Sequence, residues 1–174
     1  MSKSVIQFIV ISWVTLFILS CSQSIEEPDF DQQLEKDLAT IDAYLEENQL
    51  EALADPDNLI RYIIHESGNG DYPTLDSCIT TNYEGRLLVT DEIFDAGENF
   101  SFRMNSVIEG WKIALPLLRE GDSISLYIPS GLAYGYFGLP VNQIPSNSNI
   151  IFGVKLLQVG KTFSTSPAPE GSCN

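Results

Sequence analysis

Few residues in this chain of 174 can do chemistry, and their scarcity is informative. There is one histidine, His65, and the three cysteines stand at 21, 78 and 173, with no Cys-x-x-Cys pair. Zinc sites draw several Cys and His ligands at close spacing, so no metal is expected here and His65 reads as an exposed strand residue. No nucleophile-and-base set stands out, and no cofactor is implied. What does recur is aromatic. Tyr83, Phe94, Phe100 and Phe102 precede Trp111, and Tyr134, Pro145 and Phe152 follow it. Around Trp111 the chain reads Val107-Ile108-Glu109-Gly110-Trp111, with a short apolar segment after it. A tryptophan so placed can floor an aromatic cup. The chemistry open to such a cup is binding and desolvation rather than making or cleaving a bond.

The composition excludes other classes. Hydrophobic residues make up 44%, enough for a packed core. The formal charge is -15, and the nine basic residues are scattered singly. Nucleic-acid binding needs clustered Lys and Arg, so no nucleic-acid partner is expected. The acidity reads as solubility and self-repulsion.

The elements that must position the aromatic set follow a preamble. Residues 1–20 have the pattern of an export signal, with Lys3 as the positive start and an apolar run from Val5 to Leu19. That run is short of the roughly 20 residues a membrane span needs. It ends in Ile18-Leu19-Ser20-Cys21, which resembles the bacterial lipobox. The resemblance implies cleavage before Cys21 and acylation of its thiol, and several acyl chains make a stable anchor at about 0.8 kcal/mol per buried methylene. An ordinary secretory signal with an incidental Cys21 is the other reading. Ser22 at the next position leans, by the enterobacterial sorting rule, towards the outer membrane, with a periplasmic or surface face. Residues 21–29 form a polar tether. Phe30, Leu34, Leu38, Ile41 and Leu45 then recur at helical spacing, predicting an amphipathic helix over 30–48. Asp29 can cap it and Asn48 can stop it. Its apolar face either packs on the domain that follows or serves as a dimerisation arm.

In the domain, 59–65 and 78–89 read as strands. Ile93-Phe94 and 100–104 read as a third strand split by Asp95-Ala96-Gly97-Glu98. Residues 123–128 alternate cleanly, and 150–159 form the last strand. The stretch 110–118 is the one helix inside the domain, kept short by Pro116. The fold class is therefore α+β: a half-roll in which a twisted antiparallel sheet wraps on one short helix, with the extra N-terminal amphipathic helix added. The tail at 161–174 is Ser/Pro-rich. A Cys78–Cys173 disulfide would pin it beside the sheet, while the alternative is a buried thiol at 78 and a free one at 173.

Over residues 58–160 a chain of motifs appears in order: Tyr83-Glu84-Gly85, Phe94-Asp95, Phe100-x-Phe102, Val107-Ile108-x-Gly110-Trp111, Gly121 before the alternating strand, Ala133-Tyr134-Gly135, Ile144-Pro145 and Ile151-Phe152. Together they resemble the FKBP-type peptidyl-prolyl isomerases. The resemblance implies a pocket of Tyr83, Phe94, Asp95, Phe102, Val107, Ile108, Trp111, Tyr134, Ile144 and Phe152. Asp95, Tyr134, Trp111 and Phe94 would be its catalytic members and the others would bind substrate; whether Phe100 or Phe102 faces the pocket stays open. It implies rotation of X–Pro bonds in exported proteins of the cell envelope, with proline-containing polypeptides as partners and macrolides as inhibitors. The alternative is a non-catalytic proline-peptide-binding chaperone or assembly lipoprotein using the same pocket. Two departures bear on peptide preference. The Asp95–Phe100 linker is short and lacks the usual serines. The loop Tyr136-Phe137-Gly138-Leu139-Pro140 is longer before Ile144, and Leu139 stands near where eukaryotic members often carry a histidine.

Overall fold

A computed structural model describes residues 29–160. The stretch read as an export signal, Cys21, the expected tether up to residue 28 and the tail with Cys173 lie outside the described residues.

The first element is helix α1, Phe30–Glu47. Asp29 caps it by accepting the Asp31 N–H, and the Asn48 N–H closes the far end on the Tyr44 carbonyl. Six strands follow: β1 Leu53–Ala54, β2 Arg61–Glu66, β3 Cys78–Leu87, β4 Ile93–Arg103, β5 Ser123–Ile128 and β6 Ile150–Gly160. Between β4 and β5 lies helix α2, Glu109–Ala114, continued by a single 3-10 turn at Leu115–Leu117 where Pro116 ends regular α-helix. The strands form one sheet in the order β1-β2-β5-β6-β3-β4, and every neighbouring pair is antiparallel. Helices on one antiparallel sheet make the α+β arrangement expected.

Period-two alternation decides what each face buries. Ile124, Leu126 and Ile128 of β5 and Ile150, Phe152, Val154 and Leu156 of β6 point to the side covered by α2, joining Ile79, Met104, Trp111, Leu115 and Leu118 in the main core. Helix α2 sits so close that a Cβ on Gly110 would come within 2.5 Å of Ile128, so only glycine fits. The opposite face carries a second, smaller core. Ile41 and Leu45 of α1 pack with Tyr127, Ile151 and Leu88. Arg61 of β2 fixes α1 further with a two-pronged ion pair to Asp42, at 2.8 and 3.1 Å. Ile41 and Leu45 of α1 are thus buried on its own domain, while Phe30 at its start stays half exposed.

Three differences from the sequence reading have physical causes. Strand β4 runs unbroken through Asp95-Ala96-Gly97-Glu98, because an edge strand tolerates these residues and shifts in register absorb the irregularity. Tyr127, on the polar side of the alternating strand, is buried because α1 covers it. Leu53–Ala54 adds a short edge strand too brief to show a pattern. Cys78 opens β3 and is disulfide-bonded, with its partner outside the described residues.

Candidate functional site

Strands β3, β4 and β6 and helix α2 converge on a hollow of about 180 Å3. Its lining is Tyr83, Asp95, Phe102, Ser106, Val107, Ile108, Trp111, Tyr134 and Phe152. Trp111, the first core residue of α2, is 3% exposed. Its indole meets Tyr83, Phe102 and Phe152 edge-on, with ring centroids 5.7, 5.5 and 5.2 Å away. Such tilted contacts favour the positive edge of one ring against the negative face of another. The Trp111 Nε1–H is buried with no hydrogen-bond partner among the described residues.

Two glycines make room for these rings. Gly85 pairs with Asp95 on one side and Phe152 on the other. A Cβ there would lie 2.5 Å from Phe152 and 2.7 Å from Phe94. Gly97, facing Tyr83 across β3 and β4, would put a Cβ 2.6 Å from the Tyr83 ring. The Tyr-x-Gly motif and the glycine inside β4 are therefore spatial requirements of the aromatic wall.

The polar groups gather at one side. The Tyr83 hydroxyl donates to Asp95 Oδ2 at 3.1 Å. Burial, and then the Asp95 carboxylate, push the Tyr83 phenol up to about 12. Tyr134 is raised as well, by burial first and by Asp95 second. Both hydroxyls stay protonated donors at neutral pH. Ile108 precedes α2 with extended backbone, and its N–H has no acceptor among the described residues.

Eight of the ten residues predicted for the pocket line this hollow. Phe94 and Ile144 do not. Phe94 stands behind the wall, edge-on to Tyr134 at 5.9 Å and to Phe152 at 5.5 Å. Ile144 is 2% exposed; it bridges to Leu139 inside the loop and packs into the main core. Of the two phenylalanines left open, Phe102 lines the hollow and Phe100 leans on it from outside, half exposed. Ser106, an exposed residue of a 3-10 turn, joins the rim with nothing in the sequence to mark it. His65 is an exposed strand residue whose Nε2 lies 2.8 Å from Ser125 Oγ. Among the described residues no group of three His, Cys, Asp or Glu could hold a metal.

Known proteins share this arrangement. Residues 70–157 match the family model described as FKBP-type peptidyl-prolyl cis-trans isomerase. The peptidyl-prolyl cis-trans isomerase Mip of Coxiella burnetii is 39% identical over 107 residues, 60% of this chain and 46% of that protein. The FKBP-type isomerase FkpA of Escherichia coli is 38% identical over 112 residues, 63% of this chain and 41% of that protein. This chain thus aligns with less than half the length of either curated relative. Among solved structures, a peptidyl-prolyl cis-trans isomerase from Pseudomonas syringae superposes with a TM-score of 0.65 at 26% identity, covering 78% of this chain and 98% of that one. Escherichia coli FkpA gives 0.62 at 29%, covering 92% and 74%. The ordered motifs, the sheet wrapped on one short helix and the indole-floored hollow agree with the match across half the sequence, and the chain belongs to the FKBP-type peptidyl-prolyl cis-trans isomerase family.

Proposed function

We propose that this protein is a peptidyl-prolyl cis-trans isomerase that assists the folding of exported proteins in a bacterial cell envelope, anchored through lipid on Cys21. The observation that carries the reading is the hollow itself: open, mostly apolar and floored by Trp111, whose Nε1–H has no partner among the described residues.

Rotation about an X–Pro bond must break amide resonance, against about 18–20 kcal/mol, and takes tens to hundreds of seconds uncatalysed. No covalent bond is made or broken, so positioning and desolvation suffice. The planar amide is more dipolar than the twisted one. A dry aromatic site therefore disfavours the planar form relative to the twisted form, and a 10,000-fold gain needs only about 5–6 kcal/mol of such differential binding. Trp111 lies under the proline ring, with Val107, Ile108 and Phe152 at its sides. The Ile108 N–H donates to the carbonyl after proline, and the Tyr134 hydroxyl donates to a neighbouring carbonyl. Asp95, held by the Tyr83 hydroxyl, fixes the polar side of the wall and transfers no proton. Phe94 supports Tyr134 and Phe152 from behind.

The anchor reading rests on the sequence ending Ile18-Leu19-Ser20-Cys21. With Cys21 acylated, Cys173 is the cysteine left to pair with Cys78, which is disulfide-bonded. A protease-coupled proline-peptide assay tests the activity. Acceleration of the slow phase, abolished by an FKBP-directed macrolide, is the expected result. Tight macrolide binding without acceleration would leave a binding module in its place.

A further inference from the structure

Helix α1 lies outside the stretch that matches the family, yet one of its side chains reaches the loop that carries Tyr134. Asp37, on the third turn of α1, is 3% exposed. Its Oδ1 accepts from Gln33 Nε2 at 2.8 Å, and its Oδ2 accepts from both the Ser130 N–H at 2.8 Å and the Ser130 hydroxyl at 2.6 Å. A buried carboxylate is costly unless its lone pairs are met, and these three donors meet them. Asn149, where the same loop returns to the sheet, completes the knot. Its Oδ1 accepts the Ser130 N–H at 3.0 Å and its Nδ2 donates to the Asp37 carbonyl at 3.3 Å. Phe30, the first residue of the helix, presses its ring on Gly131, where a Cβ would come within 2.7 Å.

From Ser130 the connection to Tyr134 is direct. The Ser130 carbonyl accepts the N–H of Ala133 at 3.0 Å and of Gly135 at 2.8 Å, the two residues flanking Tyr134. The Gly135 carbonyl in turn accepts the Asn147 N–H at 3.0 Å. We infer that Asp37 is a positioning residue for the isomerase reaction: it holds Ser130, and through the Ser130 carbonyl it sets where the Tyr134 hydroxyl stands over the hollow. The inference rests on the role of Tyr134 given above. The N-terminal helix then completes the site from the far face of the sheet, in addition to covering apolar surface.

Asp37→Asn tests this with little change in volume. With the one amide oxygen on the two Ser130 donors and Gln33 turned to accept from the NH2, the bonds to Ser130 lose the charge that strengthens them, and the hold on the loop weakens. Ser130→Ala is the milder second variant, removing only the hydroxyl. Ile41→Val loosens the same helix without touching the loop and controls for lost stability. At a temperature well below all melting points, kcat should fall about tenfold in Asp37→Asn, with KM little changed. Exchange of the Gly135 amide should accelerate, and Ile41→Val should show neither effect. Adding Tyr134→Phe to Asp37→Asn should cost less than it does in the unmodified protein, since the hydroxyl is already displaced. Equal turnover and unchanged Gly135 exchange in Asp37→Asn and Ser130→Ala would overturn the inference. If Tyr134→Phe alone leaves turnover intact, the role of Tyr134 fails by itself. Faster Gly135 exchange in Asp37→Asn then still supports the hold on the loop, and unchanged exchange removes it.

Discussion

Trp111 and Tyr134 have different proposed roles in the hollow, and substitutions should separate them. Trp111→Ala removes the floor and leaves a void among Tyr83, Phe102 and Phe152. It should cost about 3–5 kcal/mol of stability and nearly all macrolide binding, read by denaturant melts and by titration. Tyr134→Phe keeps the ring edge against Phe94 and deletes one donor, so it should melt normally and turn over a proline peptide roughly tenfold more slowly. Tyr83 makes a pH prediction. Its phenol is raised to about 12, so the folded state holds that proton more tightly than the unfolded chain, whose tyrosines ionise near 10. The stabilisation is complete below about pH 10 and is lost as pH rises towards 12. In an ultraviolet titration of phenolate, one late-ionising tyrosine should disappear in Tyr83→Phe. The hollow's aromatic members were legible through the ordered motifs that resemble the family, since aromatic type alone suits a plain core equally well. Ser106 was not, since a serine in a short turn carries no local signal of what it faces.

The strands were legible where one face is buried and the other wet, as in β5, since alternation follows directly from that division. Strand β4 was read as broken because Asp, Ala, Gly and Glu all have low strand propensity, while at a sheet edge Gly97 is there to admit the Tyr83 ring. Gly85 has a similar spatial role, and Gly85→Ala should lower stability by about 1–3 kcal/mol while loosening ligand, because Phe94 and Phe152 must both give way. Helix α1 was legible as an amphipathic element, and its two possible uses make opposite predictions. Packed on Tyr127, Leu88 and Ile151, Ile41→Ala should destabilise the monomer by about 2–5 kcal/mol without changing its sedimentation. A dimerisation arm would instead lose mass on sedimentation and keep its melting point. Asp37 stands among Leu34, Leu38, Ile41 and Leu45 in sequence, and the helical pattern gave it no role. Its partners were not legible, since Ser130 lies 93 residues on and only the folded sheet brings it near.

As a molecule, the protein is a sheet with an apolar layer on each face, the working hollow on one and α1 on the other. Cys78 ties the start of β3, beside the end of β6 at Gly160, to a cysteine beyond the described residues. Titration of unfolded, unreduced, lipid-bearing protein should find no free thiol; two would exclude the Cys78–Cys173 pairing. The seating of α1 also sets a length scale. Phe30 rests on Gly131, only three residues before Tyr134. Eight residue steps separate Cys21 from Asp29, at most about 26–29 Å of extended chain. With Cys21 acylated as proposed, a leash that short, fastened so near the hollow, would confine its mouth to the first few nanometres above the bilayer. Polypeptides still threading out at the membrane surface would then fall inside that shell, while those already released into the bulk would fall outside it.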